Sequence, residues 1–154
     1  MLRIGLISDT HGLLRREAQR FLRGCDHIIH AGDIGNAGVL DQLAEIASVT
    51  AVRGNNDNAA WAAALPPTRS LALGGVPIFV LHDLNDLENS ACPSGVRIVV
   101  CGHSHKPQVV RKPSGVLVVN PGSAGPRRFK LPVTCAELMI SGENDFLAQV
   151  AHLL

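Results

Sequence analysis

Arg3-Ile4-Gly5-Leu6-Ile7-Ser8-Asp9-Thr10-His11 opens with a continuous apolar run that breaks at once into polar residues. A short unbroken apolar run of this kind reads as a buried strand. Leu14, Ala18, Phe21 and Leu22 follow at helical spacing, and Gly24 closes that helix. The pattern then recurs: His27–His30 is the next strand and Ala31-Gly32-Asp33 its polar end. Asn36 caps a second helix whose buried face is Val39, Leu40, Leu43 and Ile46, and Val49–Val52 is the third strand. Two strand–helix–strand units in succession predict parallel strands joined by right-handed crossovers. Sites in such sheets form at the carboxyl ends of strands, where Asp9, Asp33 and Asn55 all fall.

Beyond Asn55 the pattern changes. Asn58–Leu65 reads as a short helix stopped by Pro66-Pro67. Ser70–Leu73 and Val76–Leu81 flank Gly74-Gly75, a hairpin signal, and Leu84, Leu87 and Ala91 suggest a short helix before Pro93. Val96–Cys101 is a buried strand, and Val109–Arg111 and Val116–Val119 flank a Lys-Pro-Ser-Gly turn. Val133–Ile140 and Phe146–His152 form a last hairpin around Ser141–Asn144. The expectation is α/β at the start and mainly antiparallel later: two mixed sheets face to face with helices outside, in a single domain over residues 1–154.

Composition narrows the function classes. At 154 residues, 46% hydrophobic and 18% charged, the chain can bury a full core and is not disordered. A net charge of +1 provides no field towards nucleic acid or an anionic membrane. Four Phe, one Trp and no Tyr are too few for the stacking platforms of single-strand nucleic-acid binders, so no dedicated nucleic-acid binding is expected. No apolar stretch approaches the ~20 residues of a membrane span. The first strand is too short and too soon interrupted for a signal peptide. Cys25, Cys92, Cys101 and Cys135 are scattered without a CxxC pair, which reads as free thiols in a reducing cytoplasm. Cys101 reads as core.

The chemistry lies in five polar clusters that each follow an apolar run: Ser8-Asp9-Thr10-His11, Ala31-Gly32-Asp33, Gly54-Asn55-Asn56-Asp57, Leu81-His82-Asp83 and Gly102-His103-Ser104-His105. Asp, His and Asn supply the oxygen and nitrogen donors that suit borderline divalent metals. Taken singly, a polar loop after a buried strand explains each cluster about as well as a metal does, since Asp-x-His follows many strand ends and Gly-Asp is ordinary turn chemistry. The two histidines of Gly102–His105 are harder to explain as core. Taken jointly, the clusters point to one site.

Their order, Asp-x-His, Gly-Asp, Gly-Asn, His, Gly-His-x-His, resembles the calcineurin-like metallophosphoesterase superfamily. The short length, the Asn55-Asn56-Asp57 form of the third motif and Asn120-Pro121-Gly122-Ser123 resemble its small bacterial and archaeal phosphodiesterase branch, over Leu2 to about Arg128. The resemblance implies a four-layer αββα sandwich and two adjacent divalent metals. Asp9, His11 and His105 would bind the first, Asn55, His82 and His103 the second, and Asp33 would bridge them. Metals roughly 3.5–4 Å apart hold a hydroxide that attacks phosphorus in line with the leaving alkoxide. Manganese is the family's habit, with Fe, Zn, Ni or Co as other N/O-ligated choices. The implied substrate is a small phosphodiester, with a homo-oligomer left open. The resemblance also admits a non-catalytic scaffold, since the superfamily includes a trafficking-complex subunit that has lost key ligands.

Two positions depart from the family pattern. Asn56 stands where many members carry a phosphate-contacting His; Asn donates a hydrogen bond to phosphate but delivers no proton. Asp83 follows His82 where the branch usually has Gly, and reads either as extra charge beside an anion site or as a helix cap. Arg53 reads either as a phosphate-neutralising group or as a salt-bridge partner of Asp57 or Asp33. Asn120–Ser123 reads as an anion-facing backbone or a tight turn, and Arg127 and Arg128 as phosphate contacts or a solvated basic patch. His27 and His30 are expected to be packing residues and His152 a surface one.

Overall fold

The computed structural model describes residues Met1–Leu154. The ten strands are β1 (Leu2–Ile7), β2 (His27–His30), β3 (Ser48–Ala51), β4 (Thr68–Leu73), β5 (Val76–Leu81), β6 (Ile98–Val100), β7 (Gln108–Arg111), β8 (Leu117–Asn120), β9 (Thr134–Gly142) and β10 (Asp145–His152). They form two five-stranded mixed sheets, ordered β10-β9-β1-β2-β3 and β4-β5-β6-β8-β7. Two α-helices, α1 (Arg16–Leu22) and α2 (Ala37–Ala44), supply the crossovers of the first sheet.

Alternation along the strands builds the layers. Ile4 and Leu6 of β1, Ile78 and Val80 of β5, Ile98 and Val100 of β6, and Leu138 and Ile140 of β9 meet in the core between the sheets. On the outer face of the first sheet, Ile7 and Ile28 pack with Ala18 and Leu22 of α1 and Val39 and Leu43 of α2. Phe79, Val99 and Val118 point out of the second sheet towards Leu84 and Leu87. The layers follow the α/β sandwich expected from the sequence, with a thin fourth layer. Its main element is a 3-10 turn, Leu84–Asn89, where an α-helix was expected.

Other details need correction. Asn58–Leu65 contains only a 3-10 turn at Ala60–Ala62. The second half is mainly antiparallel, as expected, through β4–β5, β7–β8 and the β9–β10 hairpin, but β5 pairs β6 and β6 pairs β8 in parallel at the centre of the second sheet. The crossover from β5 to β6 runs through the 3-10 turn and loop, so no helical periodicity marked it. In the first sheet β1–β2 and β2–β3 are parallel, as expected, and the terminal hairpin β9–β10 joins antiparallel to β1. No helix is long and apolar enough to cross a membrane. All four cysteines are free thiols, and burial pushes the Cys101 thiol up to about 12, in keeping with a core side chain.

Candidate metal centre

The parallel strands β1, β2 and β3 end on the same side of the first sheet, and the loops that follow them carry Asp9, Asp33 and Asn55. The ends of β5 and β6 in the second sheet present His82, His103 and His105 to the same place. Neither sheet alone contains the cluster.

The backbone there is unusual. Six non-glycine residues have positive φ, and five of them are Asp9 (54°), His11 (47°), Asp33 (54°), His103 (71°) and His105 (64°). Each such left-handed residue costs about 1 kcal/mol or more, and side chains held this way concentrate at functional sites. Two close approaches permit it. A Cβ on Gly54 would fall on the backbone and carboxylate of Asp33, and one on Gly102 would fall on Ser8 Oγ and Asp9 Oδ2. Gly54 lets two neighbouring loops of the first sheet touch, and Gly102 lets the loops of the two sheets touch.

Asp9 is fully buried. Its Oδ2 accepts from Ser8 Oγ at 2.6 Å and from the His103 backbone N–H at 3.1 Å, which leaves Oδ1 without a partner. Around Oδ1 stand His105 Nε2 at 3.3 Å, His11 Nε2 at 3.8 Å and His82 Nε2 at 3.9 Å, none in hydrogen-bonding alignment. Burial pushes the Asp9 carboxyl up, but the neighbouring His105, Ser8 and His82 outweigh it and hold it below its ordinary value. Asp33 is buried as well, and the imidazole of His82 together with Asn56 brings its carboxyl well below the usual range against the pull of burial. His82 responds in the opposite direction: burial lowers it, yet Asp33 and Asp9 raise it on balance.

The histidine tautomers are constrained. His82 Nδ1 lies 2.7 Å from the Ala31 carbonyl and donates to it, which leaves Nε2, 3.3 Å from Asp33 Oδ2, as the nitrogen turned into the cluster. His103 Nδ1 sits 3.2 Å from Asn55 Oδ1, and the rings of His82 and His103 meet edge to face at 5.2 Å. His11 and His105 stack at 5.4 Å. Donor atoms of Asp9, His11 and His105 gather within 4.8 Å of one another, as do those of Asp9, Asp33 and His82. The buried atoms left without a hydrogen bond are Asp9 Oδ1, His11 Nε2, His82 Nε2 and His105 Nδ1. Unpaired buried polar atoms are costly, and Asp9 Oδ1, His11 Nε2 and His82 Nε2 belong to residue groups whose donors suit a divalent cation.

The remaining sequence candidates have definite places. Asn56 turns inward: its backbone N–H donates to Asp33 Oδ1 and its Nδ2 to Oδ2, both at 2.9 Å. Arg53 makes no salt bridge to Asp57 or Asp33; it donates to the Leu65 carbonyl at 3.1 Å and lines a cleft beside His82. Asp83 Oδ1 caps the Leu84–Asn89 turn through the Asn85 N–H at 3.0 Å, while its Oδ2 lies 3.6 Å from His103 Nε2. Asn120–Ser123 works as a bracing turn: Asn120 Nδ2 donates to the Gly102 carbonyl at 2.9 Å, and Ser123 Oγ donates to the Asp9 carbonyl at 3.0 Å. Arg127 and Arg128 stand in solvent. His27 packs beside Thr50 at 2.7 Å and His152 is exposed, as expected.

Two supporting residues escaped the sequence reading. Asp57, almost fully buried, accepts from the backbone N–H groups of Ile34, Gly35 and Gly54 at 2.9–3.2 Å and so ties the Asp33 loop to the Asn55 loop. The signal was present in Gly54-Asn55-Asn56-Asp57, since an Asp three residues after Gly can fold back on its N–H. Ser8 aligns Asp9, and the only hint was its position one residue before a ligand.

Comparison with known proteins bears on this arrangement. The family model for the calcineurin-like phosphoesterase superfamily domain matches residues 2–143. A "probable metallophosphoesterase" of Methanocaldococcus jannaschii is 32% identical over 133 residues, covering 78% of this chain and 67% of the relative. Another from Methanothermobacter thermautotrophicus is 28% identical over 153 residues, covering 92% and 87%. Among solved structures, an archaeal phosphodiesterase has a TM-score of 0.79 at 22% identity, covering 97% of this chain and 100% of its own. Vacuolar Protein Sorting 29 from Cryptosporidium parvum also has a TM-score of 0.79, at 19% identity and with 97% and 96% coverage. These two structural likenesses concern the fold.

Proposed function

The chain belongs to the calcineurin-like phosphoesterase superfamily, and on that premise we propose that it is a metal-dependent phosphodiesterase with a dinuclear centre. The observation that carries this reading is the convergence of donor atoms from Asp9, His11 and His105 and from Asp9, Asp33 and His82, among which Asp9 Oδ1, His11 Nε2 and His82 Nε2 are buried without a partner. Asp9, His11 and His105 would hold one cation and Asn55, His82 and His103 the other, with Asp33 between them. A carboxylate can join two cations, while imidazole and amide donors complete each shell without excess negative charge. Bound divalent ions would supply Lewis acidity towards the phosphate and a water of lowered pKa. Manganese is the choice we favour among metals that accept mixed nitrogen and oxygen donors.

The chain's own residues orient the donors. Ser8 and the His103 N–H fix Asp9 through Oδ2 and turn Oδ1 inward. The Ala31 carbonyl sets the His82 tautomer, and Asn56 fixes the plane of the Asp33 carboxylate. The second amide hydrogen of Asn56 would be free to meet a phosphate oxygen, and Arg53 lines the cleft beside His82, where it would offset substrate charge. A small diester suits a chain whose site opens without a large recognition insertion.

A non-catalytic scaffold is the alternative, suggested by the shared fold with Vacuolar Protein Sorting 29. The complete donor set favours catalysis. Metal analysis of the purified protein, together with hydrolysis of bis(4-nitrophenyl) phosphate in added Mn and Asp33→Asn as control, tests both readings. About two ions per chain with turnover that Asp33→Asn abolishes supports the diesterase. No metal uptake overturns it, and uptake without turnover of any diester supports the scaffold.

A further inference from the structure

We propose that the cleft beside Asn55 and His82 receives one alcohol arm of the phosphodiester, and that this arm carries no negative charge. The proposal rests on the diesterase reading and adds a substrate class to it. The cleft measures about 570 Å³, within the range of small-molecule sites. Its inner wall is the metal centre itself: His82 is only 6% exposed, and its Nε2 has no partner. A diester held at phosphorus by that centre can place one of its two arms in the cleft.

The lining restricts what that arm can be. None of its 12 residues is Phe or Trp, so a nucleobase finds no ring to stack on. Asp83 and Asp86 stand on the wall formed by the Leu84–Asn89 turn, with Asn89 and Ser90 beside them. Arg53 is the only Lys or Arg of the lining, and its guanidinium already donates to the Leu65 carbonyl. Away from the cations proposed at its inner wall, two carboxylates against one guanidinium leave the outer lining of the cleft with one net negative charge. The Asp83 carboxylate is partly engaged by the Asn85 N–H and faces His103, whereas the Asp86 side chain makes no hydrogen bond or ion pair within the chain. Hydroxyl or ammonium groups find acceptors there. A carboxylate or a further phosphate meets repulsion.

The test uses three 4-nitrophenyl phosphodiesters that share one leaving group and differ only in the second arm: 2-aminoethyl, 2-methoxyethyl and 2-carboxyethyl. With the metal-loaded protein, kcat/KM is expected to fall in that order, by roughly 10-fold between the first and last at low salt and by less at high salt. Asp86→Lys should bring the two extremes within about two-fold or reverse them, since it changes the sign of an exposed charge at one side of the cleft. A wild-type protein indifferent to arm charge overturns the proposal, as does a preference unchanged in Asp86→Lys. If metal binds and none of the esters is turned over, the diesterase reading fails separately. Calorimetric binding of the same esters then judges the cleft: the same charge order supports its selectivity, and a flat order overturns it.

Discussion

Asn56 grips both oxygens of Asp33, with its backbone N–H on Oδ1 and its side-chain amide on Oδ2, each at 2.9 Å. A residue one position beyond a candidate ligand therefore sets the plane of the carboxylate proposed to lie between two cations. Asn56→Ala removes the side-chain half of this grip and keeps the backbone half. Metal affinity is expected to fall about 10-fold, the lower end of what loss of an orienting partner costs. Titration calorimetry with Mn measures it directly. An unchanged affinity would show that the Asp33 carboxylate needs no such support.

Asn56 has a second consequence, for the leaving group. An amide cannot protonate a departing alkoxide, so the rate should depend steeply on how acidic the released alcohol is. A series of aryl and alkyl diesters is expected to show kcat rising strongly as the alcohol pKa falls. A flat series would mean that another group delivers the proton.

Metal should also stabilise the fold. A ligand that binds only the folded state at 100 times its dissociation constant contributes about 2.7 kcal/mol, which in a chain of this size corresponds to a rise in Tm of roughly 5–10 °C. The strained loops around Asp9, Asp33 and His105 make the metal-free protein the weaker partner in this comparison. Thermal melts with chelator and with excess Mn should differ by that amount for the wild type, and by much less for Asp33→Asn.

Asn120 braces the site from behind. Its Nδ2 donates to the Gly102 carbonyl at 2.9 Å and to Ser104 Oγ at 3.1 Å, and its Oδ1 accepts from the Gly122 N–H at 2.9 Å. Replacing it by Leu leaves buried backbone groups unpaired, at a cost of about 1–3 kcal/mol each. Urea unfolding should report a loss of that order. Metal affinity should fall as well, because Gly102 leads into His103 and His105.

His30 gives the fold a pH dependence independent of any metal. It is fully buried, its Nδ1 accepts from the Gly32 N–H at 3.1 Å, and its Nε2 lies 3.0 Å from Thr10 Oγ1, which itself donates to the Ile34 carbonyl. The ring is therefore neutral with its proton on Nε2, and burial lowers its pKa to about 4 from 6.5. Between these values the unfolded chain takes up a proton that the folded chain refuses. The stability contribution is complete above pH 6.5 and is lost as pH falls towards 4, by up to about 3 kcal/mol. Urea unfolding of wild type and His30→Gln across that window should differ in slope, with the variant flatter.

Ligand identity was legible in the sequence because buried strands ending in Asp, His or Asn are chemically distinctive, and parallel topology sends such ends to one side. Asp9, Asp33 and Asn55 were placed together on that basis, while His82, His103 and His105 joined them through the order of the motifs and the family resemblance; in the structure all six lie close together. Backbone conformation was less legible. A left-handed φ at Asp9 or His103 is imposed by the close approach of Gly102 to Ser8, a contact between residues far apart in the chain. The grip of Asn56 on Asp33 and of Asp57 on Ile34 are also long-range, and no local pattern encodes them. The parallel pairing of β6 with β5 and β8 was missed for a related reason: its crossovers carry a 3-10 turn or an edge strand where a helix would have announced them.

The place of β1 affects how the chain assembles during synthesis. It lies between β2 and β9, and β9 belongs to the last hairpin of the polypeptide. Every candidate ligand, through His105, precedes in the chain the strand that closes the other side of β1. The candidate ligands are therefore all synthesised while the sheet that aims half of them is still open at its centre. Cations met at that stage encounter a flexible set of donors, and the selectivity of the finished site arises only when the C-terminal hairpin docks.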